Sequence, residues 1–236
     1  MLQRYIRNPC LLDGYKFDLR LYVCVTSFSP VEAFIYRRGF ARLSSRQYST
    51  DAAGTQDKAI HLTNSSIQKH VEDGAASTVH NAGQEHAGGT KISLEYLWQR
   101  LAAEGKDVEA AWANIVDVVV KSLVCLDDVI PHQPNSFEVF GYDVLLDENL
   151  RAWLIEVNSS PSMRIDSQLD ARTKLSLIRD TVALVDPLPF SHSVLREVTE
   201  RRLDMHKEAA RRPHQVTIGS GMGAGSGAPL SREDRS

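Results

Sequence analysis

Residues 17–25 alternate without a break. Phe17, Leu19, Leu21, Val23 and Val25 fall on one side of an extended chain, and Asp18, Arg20, Tyr22 and Cys24 on the other, with Lys16 joining the second set. A period of two sustained over nine residues predicts a strand with one face in a core. Residues 31–36, after Ser29-Pro30, predict a second strand, and residues 40–43, after Gly39, a third. The three together read as an antiparallel, meander-like sheet. Residues 44–59 are polar and read as loop, and residues 71–90, rich in Gly, Ala, His and Ser, read as a mobile connection.

The period then changes. Leu94, Leu97 and Leu101 recur at helical spacing behind Ser93, a residue type that caps helix N-termini. Residues 107–129 carry Val108, Ala111, Trp112, Ile115, Val119, Leu123 and Leu126 on one stripe, the pattern of a helix facing a core. Residues 169–185 predict a further helix, stopped by Asp186-Pro187-Leu188-Pro189. Residues 194–212 predict a charged helix with six Lys/Arg and four Asp/Glu, which is either a solvated face or a surface for an acidic partner. The Gly-rich run 219–227 is low in complexity. The expected organisation is a folded domain over 1–190, a charged extension of helical period over 191–213 and a disordered tail over 214–236.

Gly141-Tyr142-Asp143-Val144-Leu145-Leu146-Asp147 and Trp153-Leu154-Ile155-Glu156-Val157-Asn158 predict a hairpin about Glu148-Asn149-Leu150-Arg151. A turn centred there sets Asp143 opposite Glu156, and puts Glu156 and Asn158 on one face. Two carboxylates and an amide are hard oxygen donors. They suit Mg²⁺, commonly shared with nucleotide phosphates, and do not suit zinc. The alternative is that Asp143 ends a strand and Asn158 opens a turn before Ser159-Ser160-Pro161. Glu156 favours the first reading: flanked by Leu154, Ile155 and Val157 it reads as buried, and a buried carboxylate needs a cation or hydrogen-bond partners.

Two other groupings are polar enough to carry chemistry. Lys16, Asp18 and Arg20 share one side of a strand and need solvent, one another as surface ion pairs, or a charged ligand such as phosphate. His61-Leu62-Thr63-Asn64-Ser65-Ser66 is rich in hydroxyl and amide groups, which serve a ligand or cap a turn or helix.

Composition narrows the classes. A chain of 236 residues with 42% hydrophobic content can bury a real core as one large or two small domains. Cys10, Cys24 and Cys125 are odd in number and without CxxC spacing, so reduced thiols and a reducing compartment are expected. The N-terminus has no charged stretch followed by an apolar one, and no apolar run approaches bilayer length, so a soluble protein without a membrane partner is expected. The net charge of −3 speaks against general nucleic-acid binding, although the balance is +2 from Ser191 onward and −5 before it. Eight histidines show no HExxH spacing, Gly89 stands where a P-loop needs lysine, and no Gly-x-Ser-x-Gly elbow occurs.

Taken in order, six blocks resemble the tubulin-tyrosine-ligase-like family. They are Gln3-Arg4-Tyr5-Ile6, Lys16-Phe17-Asp18-Leu19-Arg20-Leu21-Tyr22-Val23, Gly39-Phe40-Ala41-Arg42, His61-Leu62-Thr63-Asn64, Phe137-Glu138-Val139-Phe140-Gly141-Tyr142-Asp143 and Glu156-Val157-Asn158-Ser159-Ser160-Pro161-Ser162. The resemblance covers about residues 3–187. It implies an α+β fold of the ATP-grasp type, with ATP and Mg²⁺ held between two subdomains. It implies that Gln3, Arg4, Tyr5 and Ile6 form the hinge strand that receives the adenine, that Lys16, Asp18, Thr63 and Asn64 contact the nucleotide, and that Asp143, Glu156 and Asn158 are the Mg²⁺ ligands. In the glutamate-adding branch Arg42, Ser65, Ser66 and Lys91 resemble positions that hold the incoming amino acid.

The implied reaction is ATP-dependent amide formation. An acceptor carboxylate is phosphorylated to an acyl phosphate, and the amino group of free L-glutamate displaces phosphate. Such chemistry rests on positioning and charge neutralisation, with Arg20 and Arg42 as the catalytic cations. The implied partners are tubulin or microtubules through their acidic tails, and the implied state is a monomer of the cytoplasm and cytoskeleton, cilium or basal body included. A glycine or tyrosine ligase and a non-catalytic tubulin-binding fragment are the rival readings. The family pattern also includes a region before the Gln-x-Tyr-Ile block, with lysines that reach the phosphates. This chain opens almost at that block, so it is expected to be a C-terminal portion whose own activity is a separate question.

Overall fold

The computed structural model describes residues 4–51, 54–64, 68, 91–126, 129–130, 136–186 and 191–211. The chain divides into two units, Met1–Pro187 and Leu188–Ser236. Among the described residues of the first, six strands build one sheet: β1 (Leu11–Leu12), β2 (Tyr15–Phe28), β3 (Val31–Gln47), β4 (Lys91–Ser93), β5 (Glu138–Leu146) and β6 (Ala152–Asn158). The order is β4-β3-β2-β5-β6, with β1 paired to β2 off this path. Every pairing is antiparallel. The order is not that of the expected meander, because β5 pairs with the side of β2 that β3 leaves open. The first unit also holds α1 (Lys58–His61), α2 (Leu94–Ala103), α3 (Val108–Val124) and α4 (Gln168–Val185). An antiparallel sheet flanked by helices makes the fold α+β.

The alternation of β2 decides which way the sheet faces. Phe17, Leu19, Leu21, Val23 and Val25 are fully buried and join Ala41, Leu43, Ile92, Tyr142, Val144 and Leu146 in the main core. Two helices seal that face, α2 through Leu94, Leu97 and Leu101 and α3 through Ala111, Ile115, Val119 and Leu123. Both start where the sequence provides a cap. The Ser93 hydroxyl accepts from the Tyr96 amide at 3.2 Å, and the Asp107 carboxylate accepts from the Ala110 amide at 2.9 Å. The second helix stops at Val124 rather than running on to residue 129, and Leu126 lies beyond it, exposed.

Two expectations for the first sheet half are corrected. Residues 31–36 and 40–43 belong to one strand, β3, which accommodates Gly39 through a bulge. Tyr22 pairs with Tyr36 and Arg20 with Phe40, so Leu21 alone stands against Arg37, Arg38 and Gly39. Gly39 is required there, since a Cβ would lie 2.4 Å from the Arg20 carbonyl oxygen. The polar stretch 44–59 is not all loop: its first four residues extend β3, and Gly54–Gln56 form a 3-10 turn ahead of α1.

The second face of the sheet is also covered. Leu177 of α4 packs with Tyr22 and Phe40, with Tyr36, Val139, Met163 and Leu169 around them, and Tyr36 donates to the Ser176 hydroxyl at 2.8 Å. The helix begins at Ser167, whose hydroxyl accepts from the Asp170 amide at 3.1 Å. Cys10 and Cys24 are buried free thiols and Cys125 an exposed one. No helix among the described residues is long and apolar enough to cross a membrane.

In the second unit the charged segment is helical as expected, forming α5 (His192–Arg211), and its described side chains are exposed, with Arg201 paired to Glu197 at 2.7 Å. The expected mobile connection (residues 71–90) and tail (214–236) lie outside the described residues.

Candidate active site

The charged side chains that the sequence scatters over 140 residues are collected by strand register. Lys91 on β4 pairs with Arg42 on β3, and Arg42 with Asp18 on β2. Two residues on, Arg20 pairs with Asp143 on β5, and Asp143 with Glu156 on β6. Five neighbouring strands thus each bring a charge to the face opposite the main core. The apolar alternation of β2 fixes this choice, since sending Phe17, Leu19 and Leu21 inward sends Asp18 and Arg20 the other way.

At the centre are two carboxylates and two guanidiniums. Arg42 donates from Nε to Asp18 Oδ1 at 3.0 Å, and its terminal nitrogen bridges Asp18 and Asp143, reaching Asp143 Oδ2 at 2.7 Å. Arg20 grips Asp143 with both ends of its fork, at 2.5 and 3.1 Å. Asp18 and Asp143 are each 2% exposed. Burial alone would raise the Asp143 carboxyl, but the hydrogen bonds and charges of Arg20 and Arg42 outweigh it and hold its pKa below the usual carboxylate value. The Arg42 guanidinium is desolvated too, yet Asp18 and Asp143 push its pKa further up. The face is therefore neither a solvated row nor a set of surface ion pairs. It is a buried network in which the partner of Asp18 is Arg42 of the next strand rather than its own neighbours Lys16 and Arg20. The fork of Arg42, expected to take a substrate carboxylate, is occupied by these two aspartates.

Lys16 closes one end. Its ammonium is held by the His61 carbonyl at 2.8 Å and the Tyr5 hydroxyl at 3.3 Å, and lies 4.9 Å from the centre of the Tyr5 ring. Burial pushes its pKa down, Asp18 opposing. The Tyr5 hydroxyl also meets His61 Nδ1 at 2.7 Å, and burial pushes its pKa up. Arg4, Tyr5 and Ile6 are not in a strand, contrary to the hinge-strand expectation. They are anchored through the Tyr5 side chain rather than a backbone ladder, and Gln3 lies outside the described residues. Thr63 is buried beside this end and Asn64 is exposed, its carbonyl accepting from the Gln68 amide at 3.1 Å. Ser65 and Ser66 lie outside the described residues.

At the other end, Glu156 sits opposite Asp143, as the hairpin turn predicts. The Asn158 amide donates to Glu156 Oε1 at 3.3 Å and to the Gly141 carbonyl at 3.2 Å, which fixes its side chain beside Glu156. The burial expected of Glu156 is wrong. β6 is the sheet edge, and Ile155, Glu156 and Val157 are all exposed. The register argument brings these residues together, and the burial argument does not. Among the described residues no three His, Cys, Asp or Glu side chains cluster as metal ligands. A cation here would use Glu156, the Asn158 oxygen, lone pairs that the guanidiniums leave on Asp143, and water. Mg²⁺ accepts such a set because it retains several waters.

Asp170 and Lys174 went unrecognised in the sequence. Asp170, 1% exposed, receives Lys91 at 3.2 Å and Lys174 at 3.1 Å. Lys174 also donates to the Arg164 carbonyl. Both ammonium groups lie over the Phe40 ring, at 5.4 and 6.0 Å. Burial raises the Asp170 carboxyl, but Lys174 and Lys91 outweigh it and lower its pKa. The available signal was their i,i+4 spacing on the same helix face as Thr173 and Leu177, which marks a charge pair turned inward.

Comparison with known proteins gives this charged face a context. The profile of the tubulin-tyrosine ligase family matches residues 1–194. Tubulin polyglutamylase TTLL6 of Mus musculus is 39% identical over 196 residues, 78% of this chain and 23% of that protein. Tubulin polyglutamylase TTLL5 of Homo sapiens is 35% identical over 193 residues, 78% of this chain and 15% of that protein. Tubulin polyglutamylase ttll-5 of Caenorhabditis elegans is 37% identical over 209 residues, 84% of this chain and 28% of that protein. The chain thus spans between 15% and 28% of the length of these three relatives. With most of its length under the family profile and its charges gathered on one sheet face, the chain belongs to the tubulin-tyrosine ligase family.

Proposed function

We propose that this chain forms the part of an ATP-dependent tubulin glutamate ligase that neutralises phosphate charge, in an ATP-grasp fold. The observation that carries the reading is the row Lys91, Arg42, Asp18, Arg20, Asp143 and Glu156 across five strands. Glu156 and the Asn158 oxygen, with Asp143, hold Mg²⁺, which when bound offsets the negative charge of nucleotide phosphates. Lys16, Thr63 and Asn64 lie on the nucleotide side of this row, together with Arg4, Tyr5 and Ile6. Arg20 and Arg42 keep Asp143 ionised and add positive potential to a desolvated face, where charge acts more strongly than in water.

In the reaction an acceptor carboxylate oxygen bonds to the γ-phosphorus and ADP leaves. The amino nitrogen of free glutamate then attacks the acyl carbon, phosphate leaves, and the nitrogen gives up a proton. The names of the relatives, tubulin poly- and monoglutamylases, support glutamate and tubulin as the substrates. Lys91 and Lys174, whose ammonium groups share Asp170, supply the positive charge that an incoming amino acid carboxylate needs. Ser65 and Ser66 are assigned to the same amino acid.

The test supplies labelled glutamate, glycine or tyrosine with ATP, Mg²⁺ and tubulin to this chain and to any longer polypeptide in which it occurs. ATP-dependent incorporation of glutamate above the other two is expected. Incorporation of glycine or tyrosine instead, or none from either polypeptide, overturns the reading.

A further inference from the structure

One cavity of the first unit lies beside the charged row, not within it. It has a volume of about 830 Å³ and is lined by the β3 bulge, the start of α2 and the start of α4, with Arg37, Arg38 and Arg172 among its walls. That size is within the range of built ligand sites. The lining holds three arginines and one acidic residue, Glu95, and mixes apolar and aromatic residues, among them Tyr96 and Trp98, with polar ones.

The two β3 arginines are presented by a specific device. The bulge sets three residues against Leu21 alone, and Gly39 is needed where the Arg20 carbonyl approaches. Bulges turn side chains out of the regular ladder. The β4 pairing ends at Phe40, where the chain leaves the sheet for α2, so Arg37 and Arg38 lie past the end of that strand and are exposed. The Arg37 guanidinium lies 4.9 Å from the centre of the Trp112 ring, which orients it, and it makes no ion pair with a described residue. Arg38 makes no ion pair with a described residue.

The cavity also shares a wall with the site. Thr173 lines it and is followed by Lys174, while Gly39 lines it and is followed by Phe40, the ring beneath Lys91 and Lys174. The cavity is therefore one residue away, on both elements, from the Phe40 ring and Lys174.

We propose that this cavity is a docking groove for an acidic peptide segment, namely the stretch of the protein acceptor that flanks the reacting carboxylate. This rests on the ligase reading for the identity of the reacting end. The groove is lined by residues of a strand bulge and of two helix starts, with arginines at both the bulge and the start of α4. Guanidiniums bind carboxylates through two parallel hydrogen bonds, and the aromatic wall covers the aliphatic parts of glutamate side chains.

The test is fluorescence anisotropy of a labelled, glutamate-rich octapeptide with the 236-residue chain at low salt. Wild type is expected to bind, with affinity falling as salt rises. Arg37→Gln with Arg38→Gln should weaken binding by about tenfold. Because Arg37 also stacks on Trp112, Arg38→Gln alone is the second variant; its exposed side chain leaves the fold intact, and binding should still weaken measurably. A peptide with Gln in place of Glu should bind far more weakly. Absence of wild-type binding, equal binding of the Gln peptide, or unchanged affinity in the arginine variants overturns the groove. Glutamate incorporation is scored separately. If the groove variants bind like wild type while glutamate is incorporated, the groove fails and the ligase reading stands. If peptide binding depends on the arginines and nothing is ligated, the ligase reading fails and the groove remains an acidic-peptide site.

Discussion

Asp143 and Glu156 stand opposite each other across β5 and β6, yet Asp143 is sealed beneath two guanidiniums while Glu156 is open to solvent. The pair therefore divides its work. Asp143 is held in place by protein charges, and Glu156 has a carboxylate to give to a cation. Replacing Glu156 by Gln keeps the shape and removes that charge. Mn²⁺ affinity in the presence of ATP, read by electron paramagnetic resonance, should drop by about tenfold or more. Stability should change by less than about 0.5 kcal/mol, as is usual for an exposed position. Unchanged Mn²⁺ affinity in a folded variant would remove Glu156 from the cation site.

The two arginines of the network should differ in their effect on stability. Asp143 has two cationic partners, so Arg20→Met leaves it Arg42. The ion-pair partner of Asp18 is Arg42, and Arg42→Met strands a carboxylate that is 2% exposed. Breaking a buried pair by removing one partner costs about 3–5 kcal/mol. Urea denaturation should place Arg42→Met near that loss and Arg20→Met clearly below it, since Arg20 is also partly exposed. An equal loss in both variants would show that the network does not depend on Asp18.

What the sequence revealed was local, and what it concealed was long-range. The β5–β6 register could be read because a four-residue turn fixes which residues oppose, and the core face of β2 because its alternation is strict. The exposure of Glu156 could not be read: Leu154, Ile155 and Val157 look the same in a central strand and in an edge strand, and strand order is decided by distant pairings. The burial of Asp18 and Asp143 was equally hidden, since it depends on Arg20 and Arg42, which the pairing of three strands brings onto them. The two segments of β3 looked separate because Gly39 reads as a break, whereas here it permits a bulge within one strand. Asp170 and Lys174 had a helical spacing but no visible partner, because Lys91 comes from the other edge of the sheet.

Asp170 gives a pH dependence with a defined sign. Its native pKa is lowered from an unfolded value of about 3.9. The ionised form is therefore favoured by folding, and its contribution is fully present above about pH 5 and is lost as pH falls through the native pKa. Asp170→Asn should destabilise the protein near neutral pH, where it leaves Lys91 and Lys174 without their shared anion. It should also make the acid limb shallower. Denaturation free energies compared at about pH 7 and about pH 3 should differ less in the variant than in wild type, with the remaining slope including Asp143. An unchanged difference would mean that the carboxylate of Asp170 is not a source of acid sensitivity.

The helix α5 separates paired from unpaired charge, and this sharpens what its exposed surface can do. Arg201 is engaged by Glu197 at 2.7 Å and Lys207 by Asp204 at 3.5 Å, whereas Arg196 and Arg202 make no ion pair with a described residue. If the acceptor is tubulin, the unpaired arginines supply the attraction to its acidic tails, because a cation already neutralised within the helix adds little to the outside field. Arg196→Gln with Arg202→Gln should then weaken co-sedimentation with microtubules more than Arg201→Gln with Lys207→Gln does. The difference should shrink as salt rises toward physiological strength, where exposed charges are screened beyond about 8 Å. Nucleotide affinity should be the same in both double variants. Equal co-sedimentation of the two across the salt series would identify α5 as a solvated helix whose charges serve each other, and would leave recognition of the acceptor to the first unit, where Arg37 and Arg38 line the groove.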